Sequence, residues 1–117
     1  MEKKNIIVEK SLTFGIEIIK FCELLEEKRK YVVARQLLRS GTSIGANVFE
    51  AQHAESNADF IHKMKLAIKE ASETLYWLSI CERSESYPVN SSLKTLVEEV
   101  IRIISKIIIS SRKAGEK

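Results

Sequence analysis

The chain has 117 residues, with 19 Lys plus Arg against 16 Asp plus Glu, a formal charge of +3 when both histidines are neutral. That length holds one domain, here residues 1–117, and excludes two ordinary ones. Apolar residues make up 44% and charged residues 30%, with one proline and four glycines, a balance that excludes disordered and collagenous chains.

From Asn5 to Lys28, apolar residues recur at Val8, Leu12, Ile16 and Ile19 and again at Phe14, Ile18, Phe21 and Leu25. Spacings of three and four predict a helix, and two such rows make a stripe wider than one core contact needs. Lys28-Arg29-Lys30 breaks the pattern. It resumes at Val33, Leu37, Gly41, Ile44, Val48 and Ala51, predicting a second helix from near Lys30 to near Ala54. Ser56 is placed to cap a third, with Asp59 in the first turn where the helix dipole favours negative charge. Phe60, Met64, Ala67, Ala71, Leu75 and Leu78 form its core row.

Tyr87-Pro88-Val89-Asn90 is the clearest break in the chain. Asn90 or Ser91 caps a fourth helix, with Leu93, Leu96, Val97, Val100, Ile104 and Ile107 on one side and Ile101 and Ile108 on another. Four helices of roughly 24 residues, each about 36 Å long and joined by short loops, predict an all-α, antiparallel up-down-up-down bundle.

A bundle helix needs about three apolar positions in seven, and the third and fourth helices exceed that. Surplus apolar surface marks an interaction site, so Tyr76, Trp77, Ile101 and Ile108 are the expected oligomer interface, the alternative being a thicker core.

Catalytic and metal chemistry find no pattern here. Arg39-Ser40-Gly41-Thr42-Ser43-Ile44-Gly45-Ala46-Asn47 is rich in small residues, but no Gly-Lys-Ser/Thr follows and no strand precedes it, so it is not a phosphate loop. Its small residues instead suit close helix–helix approach. His53 and His62 lack the one-turn spacing of a helical metal site, and no nucleophile stands beside a base. Cys22 and Cys81 have no CxxC partner and read as buried thiols. No cofactor, metal or catalytic residue is expected, and without a leader or a spanning apolar run the protein is expected in the cytoplasm. Basic charge gathers towards the C-terminus at Lys106, Arg112, Lys113 and Lys117, either to meet nucleic acid or to complement a helix dipole.

The run RSGTSIGANVFEA over residues 39–51, followed by Asp59-Phe60-Ile61-His62-Lys63-Met64-Lys65 and Ala71-Ser72-Glu73-Thr74-Leu75-Tyr76-Trp77-Leu78, closely resembles one family. These are the bacterial four-helix-bundle proteins encoded within intervening sequences of large-subunit ribosomal RNA genes. The resemblance spans nearly the whole chain. The family is similar in turn to the accessory proteins of diversity-generating retroelements, pentameric bundles with basic surfaces that bind nucleic acid and a reverse transcriptase. Ser43, Asn47 and Glu50 match the second-helix motif and Glu73 the third-helix glutamate, which implies inter-helix or inter-subunit hydrogen bonding. Ala51 stands where the family often has glycine, favouring a helix that continues to about Ala54. The resemblance implies a non-enzymatic homopentamer that binds structured RNA or DNA; the alternative is an interaction module docking a polymerase or ribosome-associated protein. Arg35, Arg39, Lys63, Lys69, Arg112 and Lys113 are the basic positions expected to form the nucleic-acid surface.

Overall fold

A computed structural model describes residues 5–116, which form four α-helices and no strands. They are α1 (Ile6–Glu27), α2 (Tyr31–Ala51), α3 (Asn57–Arg83) and α4 (Ser91–Gly115). Three begin on side-chain caps. Asn5 accepts from the Val8 N–H, Ser56 from Asp59 and Asn90 from Leu93, each satisfying a backbone donor that a helix start leaves free. Between the two candidates for the last cap, Asn90 is the one used. Helix α2 stops at Ala51, short of Ala54, because the next amide groups tighten: those of Gln52, His53 and Ala54 donate to Phe49, Glu50 and Ala51.

The end of α1 is closed by the paired bonds of a Schellman turn, Lys30 N–H to the Leu25 carbonyl at 2.8 Å and Arg29 N–H to Glu26 at 2.9 Å. This places Arg29 at φ 61°, a left-handed position where glycine is usual. Lys30, which starts α2 without a side-chain cap, sends its ammonium to Ser86 Oγ at 3.2 Å and over the Tyr87 ring at 4.8 Å. The α1–α2 and α3–α4 turns are thereby tied to one another.

Each helix packs on the next in sequence and α1 also packs on α4, while no Cα pair between α1 and α3 or between α2 and α4 lies within 8 Å. The helices therefore stand at the corners of a rod of 53 × 28 × 21 Å. Polar contacts fix the register: Asn5 donates to Gln52 at 2.8 Å, Asn57 Nδ2 to the Ser111 carbonyl at 2.9 Å, and Lys94 pairs with Glu82 at 2.9 Å. No helix among the described residues is long and apolar enough to cross a membrane.

The core is built from Phe14, Ile18 and Leu25 of α1, Leu37, Ile44 and Val48 of α2, Met64, Ala67 and Ala71 of α3, and Leu93, Val97 and Ile104 of α4, all buried. Small residues let α1 and α2 approach closely. A Cβ built on Gly41 would lie 2.8 Å from Ile18 Cγ2, and one on Gly45 would lie 3.3 Å from the Ser11 carbonyl. Between α2 and α3, the buried hydroxyls of Ser40 and Thr74 share a 2.9 Å hydrogen bond. That pairing spares both groups the penalty of burial without a partner.

Candidate interaction surfaces

The residues singled out in the motif run collect along the α2–α3 seam. Arg39 reaches across to Glu70 at 3.2 Å and to Glu73, and Glu73 also accepts the Trp77 indole N–H at 3.0 Å. Lys63 pairs with Glu50 at 3.2 Å. Glu50 and Glu73 thus bridge helices, whereas Ser43 and Asn47 do not: Ser43 Oγ donates to the Arg39 carbonyl at 2.6 Å and Asn47 Nδ2 to the Ser43 carbonyl at 2.9 Å. Both spend their side chains on their own helix, a local bond always in reach of short polar residues one turn on. Arg39 and Lys63, expected to be free for phosphate, are already engaged by carboxylates.

The interface expected on α3 and α4 is dispersed. Ile108 is 6% exposed and belongs to the core, because the buried row of α4 runs Leu93, Val97, Val100, Ile104, Ile108. Trp77 and Ile101 are half-buried against that core, along the flanks where α3 meets α2 and α4 meets α3. Only Tyr76, at 57%, is openly exposed, and it meets Trp77 edge to face.

The exposed apolar face lies instead on α1 and α2. The residues Leu12, Ile16 and Ile19 belong to the first of the two rows in α1, and they point away from the core: Leu12 and Ile16 are each 48% exposed. Beside it on α2 stand Leu38 and Phe49, the latter 50% exposed. Gly15, Gly45 and Ala46 leave a groove of about 490 Å³ between them, floored by backbone and walled by Leu12, Ile16, Ile19 and Phe49. Apolar side chains in this number around one groove form a patch of the kind that marks a contact surface.

A second face, on α3 and α4, is basic. On α3 the outward stripe runs Ala58, His62, Lys65, Lys69, Ser72 and Tyr76, all exposed, and it contains no carboxylate because Glu70 and Glu73 turn towards α2 and Glu82 towards α4. On α4 the outward stripe runs Arg102, Lys106, Ile109 and Lys113, with Arg112 beside it. The contacts Asn57 to Ser111 and Glu82 to Lys94 set α3 against α4 so that Lys65 lies level with Lys106 and Lys69 with Arg102. Among the described residues no carboxylate oxygen comes within 4.0 Å of these four cations or of Arg112 and Lys113; exposed Glu98, one turn before Arg102, and Glu116, one turn after Arg112, flank the face. Of the six expected basic positions, this face gathers Lys69, Arg112 and Lys113. Arg35 stands apart, exposed on α2. Lys65 and Arg102 were missed, although counting charge by helical face rather than by segment finds both.

The two thiols are inert. Both are buried, and burial pushes Cys22 up to about 12, with Glu26, Cys81 and Glu23 adding smaller repulsions, and Cys81 up to about 11. A bridge between them is excluded in this fold, because α1 and α3 keep their Cα atoms more than 8 Å apart and a disulfide needs less than about 7 Å. A thiol of raised pKa keeps its proton in the folded state while the unfolded chain loses it from about pH 8.5, so its stabilisation is complete below that pH and fades above it. Urea unfolding from pH 8 upward is therefore expected to lose stability by at most about 1.4 kcal/mol per pH unit per thiol, and the C22A/C81A chain to fall less steeply. Equal slopes would mean that the thiols are not shielded.

Among the described residues no three His, Cys, Asp or Glu side chains are grouped to hold a metal ion, and His53 and His62 are both exposed.

Comparison with known proteins places these surfaces in context. Residues 3–108 match the family described as 23S rRNA-intervening sequence protein. A crystal structure of a protein with unknown function from the S23 ribosomal protein family, from Bacteroides thetaiotaomicron VPI-5482, is similar at 41% identity. The likeness covers 87% of this chain and 97% of that one, with a TM-score of 0.83. No curated protein matches the chain.

Proposed function

The chain belongs to the 23S rRNA-intervening sequence protein family, and we propose that it is a non-enzymatic bundle that assembles with itself and binds structured RNA or DNA in the cytoplasm. The observation that carries this reading is the basic face of α3 and α4, whose cations pair with no carboxylate, since phosphate binding scales with the cations that can displace counterions. Within the proposal the four helices run up-down-up-down, as the contacts Asn5 to Gln52 and Asn57 to Ser111 favour, each bringing the start of one helix to the end of its neighbour.

Self-association would use the groove between α1 and α2, on the side of the bundle away from the basic face. Burying Leu12, Ile16 and Phe49 there leaves α3 and α4 free, and each added subunit multiplies the basic faces available to one nucleic acid. A ring of five is the number implied by the likeness to the retroelement accessory proteins. A second reading is favoured by the same groove: a partner protein, such as a polymerase or a ribosome-associated factor, lays an apolar helix into it.

Native mass spectrometry of the protein purified from cells separates the two. About five subunits with nucleic acid that is shed as salt rises supports the first reading. A monomer that keeps a protein partner after nuclease treatment supports the second.

A further inference from the structure

We propose that the α3–α4 face grips the two phosphate rows of a duplex rather than a single strand, an inference that rests on the reading of that face as a nucleic-acid surface.

The cations stand in two lines. Lys65 and Lys69 of α3 lie level with Lys106 and Arg102 of the neighbouring helix α4, and because both stripes point outward the two lines of charge stand farther apart than the roughly 8–10 Å of the helix axes. Lys113 extends the α4 line, which from Arg102 runs about 16 Å at 1.5 Å per residue. A single strand offers one phosphate row, whereas a duplex offers two, on either side of a groove about 6–12 Å wide in the B form. Two lines of charge on neighbouring helices give each of the two rows a partner, whereas a single strand engages only one.

What lies between the lines is also informative. Ile61, Ile68 and Ile101 fill the seam, half-buried and packed on the core, so unpaired bases find there neither a slot nor a ring. Proteins that hold single strands stack bases on aromatic side chains. Helix α4 has no aromatic residue, and the two exposed rings on the α3 stripe, His62 and Tyr76, stand four turns apart, with Tyr76 packed edge to face on Trp77. Base reading is equally poorly served. The only Asn or Gln side chain in α3 or α4 is Asn57, which donates to the Ser111 carbonyl. The face is built to feel the spacing of phosphates with little regard to sequence.

The test is fluorescence anisotropy of the full chain with four probes of about 20 nucleotides per strand: an RNA duplex, a DNA duplex of the same sequence, and one single strand of each, between about 50 and 200 mM salt. One or both duplexes are expected to bind at least about tenfold more tightly than their single strands, and which of them does so assigns the source of the phosphates. In K65A/R102A, with the fold checked by circular dichroism, the salt slope is expected to fall by roughly 2 and duplex binding to weaken by more than about tenfold, while R35A binds as the parent does. Single strands bound as tightly as duplexes would overturn the duplex inference and leave nucleic-acid binding standing. Failure of all four probes at low salt would overturn both. Parent-like binding by K65A/R102A would remove the face from the argument.

Discussion

Gly41→Ala is expected to destabilise the bundle by about 1–3 kcal/mol, the usual cost of forcing a methyl group into a filled core. The added carbon would lie 2.8 Å from Cγ2 and 2.9 Å from Cγ1 of Ile18, which is fully buried. Neither atom is the loose end of a flexible chain, since a β-branched residue in a helix is held to one rotamer. The clash can therefore be relieved only by moving α1 away from α2, which also opens the contact of Gly45 on the Ser11 carbonyl. Gly15→Ala is the matched control. Nothing lies within 4 Å of a Cβ there, so the ordinary helix preference for alanine is expected to stabilise by about 0.5–1 kcal/mol. Urea unfolding of the two variants beside the parent checks both signs. A G41A chain as stable as the parent would mean that the helices are not in tight contact at this point. If the clash is the cause, pairing G41A with I18A should destabilise by less than the sum of the two single changes.

The same two helices mark where the sequence could be read and where it could not. The buried row of α2, from Val33 through Leu37, Gly41, Ile44 and Val48 to Ala51, is legible because it recurs every three or four residues with no rival row of the same length, although its apolar neighbours Val32, Leu38 and Phe49 face outward. The use of small residues for close approach is legible for the same reason. In α1, two apolar rows compete for the core, and spacing alone does not say which wins. The row with Phe14, Ile18, Phe21 and Leu25 is buried because it meets Gly41 and the other core side chains, a fact of tertiary contact. The losing row, Leu12, Ile16 and Ile19, becomes the exposed face. On α4 the reverse occurs: Ile101, Ile103 and Ile107 look surplus by count, yet they lie half-buried in the seams with α3 and α1. Polar partnerships were the least legible. Whether Ser43 bonds across to α3 or back to Arg39, and whether Ser40 finds Thr74, depends on rotations of a few tens of degrees about each helix axis.

The pair I16E/F49E is expected to abolish self-association while leaving the folded subunit intact. About half of each of these side chains already meets solvent, so replacing them removes little from the core. In an assembly their exposed halves would be covered, each stabilising by roughly 0.8–1.5 kcal/mol, half of the full-burial figure, and each carboxylate put in its place would have to be stripped of water. Losing both terms at every contact shifts association by several powers of ten, enough to turn an oligomer into a monomer at micromolar concentration. Sedimentation reads the size and urea unfolding reads the subunit; a monomer of parent stability is the expected result. An assembly of unchanged size would place the contact elsewhere. The two faces also predict a separation of effects. The I16E/F49E monomer keeps Lys65, Lys69, Arg102 and Lys106 in place, so it should still bind a duplex, and with the salt slope of a single parent face, although more weakly than an assembly does through multivalency. K65A/R102A should do the opposite, assembling like the parent while losing the duplex. If instead either variant loses both properties together, the apolar and basic faces are not independent, and nucleic acid bridges the subunits rather than decorating an assembly that forms without it.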